Sequence, residues 1–317
     1  MLENLIYSLN ATMPVFLVMV GGYLLKRLKM TNESFVSVAN KINFKVTLPA
    51  LLLKDLAGSD ITKEFDLNYV LYCAIVTTIS FWGIWGLSRL FVKEDKIRGA
   101  FVQASFRGSI AVLGIALVQN IYGDSNSMPM VILGAVPLYN IYSVIVLTFE
   151  SNEPGGKTVK DAIWGIAQNP IILSILAGII CSLLRTGLGF SYPLILSRTV
   201  DNFAKMATPL ALLALGAGFE GTKAVKKIKP SLVASATKLL IQPLVFLPVA
   251  IALGYRDAAL VALLIMLGSP TTPSTYIMAE NMGNDGVLTS SIVALTTLLS
   301  AFTLTLFIFI LKTLGLV

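Results

Sequence analysis

Apolar runs of about 20 residues, each long enough to cross a bilayer, follow one another along this chain and leave it few ways to fold. Ten such spans can be drawn, near 5–25, 36–57, 68–91, 98–121, 128–150, 164–184, 194–218, 230–253, 257–281 and 286–311. Only 13% of the 317 residues are charged and 56% are hydrophobic, whereas soluble domains average about 25% charged. The chain is therefore expected to be an all-α, multi-pass membrane protein. Span 2 is the least apolar, because its first half carries Asn40, Lys41, Asn43 and Lys45. Turn residues mark the short connections, most clearly at 123–127 and 151–156.

The charges sit mainly between the spans. A net charge of +7 does not point to nucleic acid here, because Lys and Arg in short loops set membrane orientation. Lys26, Arg27 and Lys29 follow span 1; Arg89, Lys93, Lys96 and Arg98 lie between spans 3 and 4; Lys157 and Lys160 lie between spans 5 and 6; Lys223, Lys226, Lys227 and Lys229 follow span 7. The opposite loops hold only Lys63, Arg185, Arg256 and Lys312. The first group is expected to be cytoplasmic, with both termini outside an inner (plasma) membrane. The opening Met-Leu-Glu-Asn has no basic region, so span 1 is not expected to be a cleaved signal. The chain has no histidine, and its two cysteines, Cys73 and Cys181, lie within spans. A zinc site, a disulfide framework or any other resident cofactor is not expected. Any proton coupling would run through carboxylates.

A shift of 160 residues lays one half of the chain on the other. Lys45, Pro49, Leu52, Leu53, Ala57 and Gly58 fall on Lys205, Pro209, Leu212, Leu213, Ala217 and Gly218, and Gly108-Ser109 falls on Gly268-Ser269. Each half, 1–160 and 161–317, holds five spans. Five is odd, so the second half enters the membrane from the opposite side. Inverted repeats of this kind place a binding site near the midplane, where the repeats meet.

Span 9 shows where. Met266 to Thr275 reads MLGSPTTPST. Pro270 and Pro273 cannot both sit in an unbroken helix, since each lacks an N–H and crowds the turn before it. The freed backbone groups must face protein or a polar cavity. Ser269, Thr271, Thr272, Ser274 and Thr275 surround the break, to bind a substrate or cation, or to bond back to their own helix. The repeat mate of this break is Phe106–Ala111, which contains Arg107, Gly108 and Ser109.

Arg107 stands nine residues into span 4, about 13 Å from the cytoplasmic end. An Arg at such depth costs at least about 2.5–3.5 kcal/mol to insert, so it needs a partner. That partner is an anionic substrate held through the guanidinium fork, a structural counter-ion, or carbonyls freed by the break. Asn140, with Tyr139 and Tyr142, makes a polar patch on span 5. Asp201 and Lys205, four apart on span 7, can pair across one helical turn, and Lys45 is the repeat mate of Lys205. These three are the candidates for ion coupling, against a plain charge-neutralising pair. Lys238 is read as snorkelling to the interface, Glu150 as a solvated helix end, and Pro49 and Pro209 as kinks. Gly21-Gly22 and Gly216-x-Gly218 are read as close helix contacts.

Several stretches taken together resemble the auxin efflux carrier family, bacterial relatives of the plant PIN transporters within the bile acid/sodium symporter-like carriers. They are 207–216 (ATPLALLALG), 101–108 (FVQASFRG), 137–142 (PLYNIY) and 268–283 with its GSPTTP and AENMG segments. The resemblance covers nearly the whole chain. It implies ten helices in two inverted five-helix repeats, with broken helices 4 and 9 crossing. It also implies a scaffold (1–60 and 161–220) that forms a homodimer, and a transport domain (66–152 and 230–313) that slides against it like an elevator. Family substrates are organic anions, auxin in plants and dicarboxylates in some bacterial relatives. Family members often carry Asn and Pro where this chain has Arg107 to Ile110, which favours a direct charge contact here.

The expectation is a secondary active transporter of a small organic anion, not an enzyme. Its site would be Arg107, Gly108, Ser109, Asn140, Ser269, Pro270, Thr271, Thr272, Pro273 and Ser274. Sodium coupling, proton coupling and no coupling ion all stay open. The alternative is an anion channel, since broken helices also line pores.

Overall fold

Helix is the form in which an apolar segment bonds its own backbone without water, and it is the only regular structure among the described residues. The computed structural model describes residues 2–58, 66–110, 118, 121–122, 127–151, 159–188 and 193–317, and no strand occurs among them. Most of the expected turn at 123–127, most of the loop at 151–156, Lys63, Lys157 and most of the second half of span 4 lie outside the described residues.

In chain order the helices are α1 (Leu2–Arg27), α2 (Glu33–Ile42), α3 (Leu48–Gly58), α4 (Leu67–Phe91), α5 (Asp95–Phe106), α6 (Met128–Phe149), α7 (Val159–Ala167) and α8 (Pro170–Leu188). They continue with α9 (Leu194–Gly218), α10 (Gly221–Lys226), α11 (Ile228–Ala236), α12 (Gln242–Ala252), α13 (Asp257–Gly268), α14 (Pro273–Asn281) and α15 (Gly286–Thr313). Six helical stretches among the described residues are long and apolar enough to cross a membrane: Leu67–Leu90, Met128–Phe149, Pro170–Gly187, Ile228–Ala252, Asp257–Asn281 and Gly286–Thr313. They match sequence spans 3, 5, 6, 8, 9 and 10. Asn40, Lys41, Asn43 and Lys45 lower the hydropathy of span 2, and Arg198, Asp201 and Lys205 that of span 7.

Two segments wind as π-helix, Asn43–Thr47 between α2 and α3, and Thr237–Ile241 between α11 and α12. Each comes just before a proline, Pro49 or Pro243. A proline ring crowds the carbonyl four residues back, and widening the turn relieves the clash. Pro49 therefore acts through a π turn rather than a simple kink. The wide turns bring polar side chains inward: Asn43 Nδ2 donates to Ala207 O on α9 at 2.8 Å.

Helix α1 packs on α9 and α15, α3 on α8 and α9, and α4 on α6. Small residues bring backbones into contact. A Cβ on Gly22 would lie 2.4 Å from Leu213 O, and one on Gly216 would lie 1.9 Å from Met19 O. Gly21 faces open space instead, so only one glycine of that pair makes the contact. Glu150 is not a solvated helix end. Its carboxylate is only 10% exposed, accepts from Trp85 Nε1 at 2.7 Å and Arg98 Nη1 at 3.3 Å, and lies 3.9 Å from Arg89. Two donors, Trp85 of α4 and Arg98 of α5, and the nearby charge of Arg89 offset the loss of water around it.

Candidate functional site

The site forms where two helices stop inside the protein. Helix α5 ends at Phe106, and Arg107 is extended, with φ −91° and ψ 146°. Helix α13 ends at Gly268, Ser269 and Thr272 are extended, and α14 restarts at Pro273. Proline suits that first helical position, because its missing N–H would have no partner there anyway. The two interruptions touch: Ser109 N donates to Pro270 O at 2.9 Å. This pairs backbone groups that the two breaks leave open.

Arg107 lies in this junction with 4% of its surface exposed. One terminal nitrogen, Nη1, donates to Ser143 Oγ at 3.3 Å and Met278 Sδ at 3.0 Å. The other, Nη2, donates to Asn140 Oδ1 at 3.3 Å and Ser274 Oγ at 3.0 Å. Its Nε is buried without a hydrogen-bond partner among the described residues. All four partners are neutral, and among the described residues Arg107 enters no ion pair. None of those four partners is a main-chain carbonyl, so capping the break is not what these contacts do.

A cavity of about 110 Å³ opens beside the guanidinium. Arg107, Gly108, Ser109, Asn140, Pro270, Thr271, Thr272, Pro273 and Ser274 line it, which is every expected site residue except Ser269. Its opposite wall comes from α1, α3 and α9, through residues such as Val15, Leu51 and Thr208. Asp55, which the sequence reading did not single out, stands on that wall.

Ser269 is fully buried, and its hydroxyl has no hydrogen-bond partner among the described residues. It faces Gly108, where a Cβ would come within 2.5 Å of its Oγ. The remaining hydroxyls divide. Thr271 Oγ1 donates to Ala104 O at 2.7 Å, closing the end of α5. Thr272 Oγ1 and Ser274 Oγ share a bond of 2.8 Å beside Arg107. The polar patch on α6 divides as well. Asn140 meets Arg107, Tyr139 OH donates to Met266 O at 3.0 Å, and Tyr142 stacks on Phe81 with ring centroids 4.4 Å apart.

The coupling candidates lie elsewhere. Asp201 pairs with both Lys54 and Lys205, and their side chains are 29%, 44% and 67% exposed. Lys45 is exposed on the first π segment. None of these three candidates lines the cavity.

Lys238 does not snorkel. It is fully buried, its Nζ donates to Met266 O at 2.9 Å, and it lies 5.8 Å from the centre of the Tyr139 ring. Four residues on, Gln242 Nε2 donates to Ser105 O at 2.5 Å. Depth along a helix does not reveal which face a residue takes, and that is why the sequence misplaced Lys238. Two polar residues four apart in an otherwise apolar span are the signal that could have found the pair.

A multi-pass helical bundle with a buried guanidinium beside a cavity, inside interrupted helices, belongs to the class of membrane transport proteins. The chain matches the family described as membrane transport protein over residues 7–308, and it belongs to that family, the auxin efflux carriers. It is 25% identical over 303 residues, covering 92% of each chain, to a protein of Rhizobium meliloti (strain 1021) named "Putative malonate transporter". A protein of Methanothermobacter thermautotrophicus named "Uncharacterized transporter" is 24% identical over 303 residues, covering 94% of this chain and 96% of its own. "Uncharacterized transporter YfdV" of Escherichia coli (strain K12) is 25% identical over 287 residues, covering 87% of this chain and 88% of its own.

Proposed function

We propose that this protein is a secondary active transporter of a small organic anion, a carboxylate or dicarboxylate, bound at the junction of the two helix breaks. One observation carries the reading. Arg107 is a nearly buried cation at a cavity wall, and its hydrogen-bond partners among the described residues are all neutral. A charge so placed is costly unless an anion joins it. The unpartnered Nε and the neighbouring hydroxyls of Thr272 and Ser274 are the groups that would complete a carboxylate site. The cavity's size suits a compact anion, and the name of the Rhizobium relative points the same way.

The wider architecture belongs to this proposal: ten spans in two inverted repeats, with helices 4 and 9 crossing at the breaks. So do a scaffold of 1–60 and 161–220, which pairs with a second copy, and a transport domain of 66–152 and 230–313. The position of the cavity supports it, since α3 and α9 of the scaffold form one wall and the breaks of the transport domain form the other. Sliding one wall past the other would expose the anion to each side in turn. Both termini would lie outside.

The test is flux of labelled malonate into proteoliposomes holding the purified protein. Saturable exchange with unlabelled malonate is expected, and Arg107→Ala should abolish it while the protein remains folded. Undiminished flux through Arg107→Ala would overturn the role of the arginine. A large single-channel current would favour the pore.

A further inference from the structure

Helices α1, α9, α10, α11 and α15 enclose a crevice of about 490 Å³ that the anion site does not use. From α1 it takes Phe16, Met19, Val20 and Tyr23. From α15 it takes Ser291, Ala294, Leu295 and Leu298. Residues three, four and seven apart share one face of a helix, so each helix gives the crevice a single stripe two turns long. Gly216 lets α9 meet α1 at the Met19 backbone, which closes the floor. Val225 of α10 and Ile228 of α11 stand at the outer side, 70% and 41% exposed. In a membrane-spanning chain, that side faces lipid.

The walls are apolar, and the two polar side chains among them are already engaged. Ser291 Oγ donates to Val287 O at 2.8 Å, and Tyr23 OH accepts from Arg27 Nε at 2.9 Å and Nη2 at 2.7 Å. The Tyr23 contact holds the Arg27 guanidinium at one end of the crevice. Lys226 follows Val225, and Lys229 follows Ile228. All three basic residues are exposed, and among the described residues none of them enters an ion pair. Basic side chains at the rim of a slot between membrane helices match an anionic headgroup, with its acyl chain inside. A helix of a second copy is too thick. Two turns of one, about 10 Å across, fill roughly 800 Å³.

We propose that this crevice binds an anionic phospholipid, with one acyl chain between α1 and α15 and the headgroup phosphate held by Arg27 and Lys226. Its walls come from both the scaffold and the transport domain of the proposed carrier, so the lipid lies across the boundary along which they would slide. The binding itself does not depend on what the protein carries.

Thermal unfolding of the purified protein in mild detergent tests this without any substrate. Midpoints are compared with added phosphatidylglycerol, with phosphatidylcholine of the same chains, and with soluble glycerol phosphate. The wild type is expected to gain several degrees from phosphatidylglycerol, less from phosphatidylcholine and nothing from glycerol phosphate. Arg27→Gln with Lys226→Gln should cut the first gain to the level of the second. Ala294→Phe, which fills the slot, should lose both gains. Lys41→Gln with Lys93→Gln removes as much exposed charge outside the crevice and should keep the full gain. Equal gains from the two lipids, or equal protection by glycerol phosphate, overturns the proposal. So does a loss in the Lys41 and Lys93 pair that matches the loss in the Arg27 and Lys226 pair, or a full gain in Ala294→Phe. If Ala294→Phe does not fold, native mass spectrometry decides. One phosphatidylglycerol retained per chain, and released by Arg27→Gln with Lys226→Gln, supports the site. No retained lipid, or an even ladder of both lipids, overturns it.

Discussion

Two buried basic side chains, Arg107 and Lys238, lie near the helix breaks, and their surroundings give them different work. Arg107 spreads its donors over Ser143, Met278, Asn140 and Ser274 beside a cavity. Lys238 aims at one main-chain carbonyl away from that cavity. Shortening the first to Arg107→Lys keeps the charge but loses the planar fork. Hydrogen bonds to charged groups contribute about 1.5–3 kcal/mol each, so carboxylate affinity is expected to fall roughly 10- to 100-fold. Isothermal titration with malonate reads that loss. Gly108→Ala pushes a methyl group toward Lys238 Nζ and Ser269 Oγ. Overpacking of this kind typically costs about 1–3 kcal/mol, and it should appear as a lower unfolding midpoint together with lost flux. Arg107 could be singled out from sequence because no interface lies within its reach. The depth of Lys238 leaves it free to turn toward lipid, the interface or the core, and only its four-residue spacing from Gln242 hints at the inward face.

At the scale of elements, prolines and glycines set both the breaks and the contacts. Pro270 and Pro273 end one helix and start the next, as their chemistry requires. The glycines of α1 and α9 were equally visible in the sequence, but their partners were not. Gly216→Val should separate these helices, because the obstacle at Met19 is backbone and cannot swing aside. Gly21→Ala, facing open space, should leave stability within about 0.5 kcal/mol. Thermal unfolding of the two variants side by side checks the contrast. The pairing of Asp201 with Lys205 follows from their spacing. The second partner, Lys54, comes from α3 across the helix contact, and no local pattern announces it.

At the scale of the molecule, the proposed motion moves span 9 past span 2. The two are tied on one side by Asn40 Nδ2 donating to Tyr276 OH and Asn281 Nδ2 donating to Asn40 O, each at 3.3 Å. A short bismaleimide joining Asn40→Cys to Asn281→Cys, in a chain freed of Cys73 and Cys181, should stop malonate exchange. A cleavable version should restore it on reduction. Exchange that continues through the cross-link would argue against sliding of these parts. The proposed orientation has its own check. A cysteine placed at Lys226 should react with a membrane-impermeant maleimide only in inside-out vesicles, and one at Thr313 only in right-side-out cells.

The sequence by itself determined that this chain is a helical, multi-pass membrane protein with an interrupted span at 269–272 and an arginine too deep to reach water. Those features depend on local chemistry: run length, the missing proline N–H, and the cost of charge in hydrocarbon. Only the tertiary structure decided that Ser109 meets Pro270, that Lys238 and Gln242 close the two helix ends, and that Glu150 turns inward to Trp85 and Arg98. A helix offers several faces of similar hydropathy, and which one turns inward is settled by the neighbours it packs against.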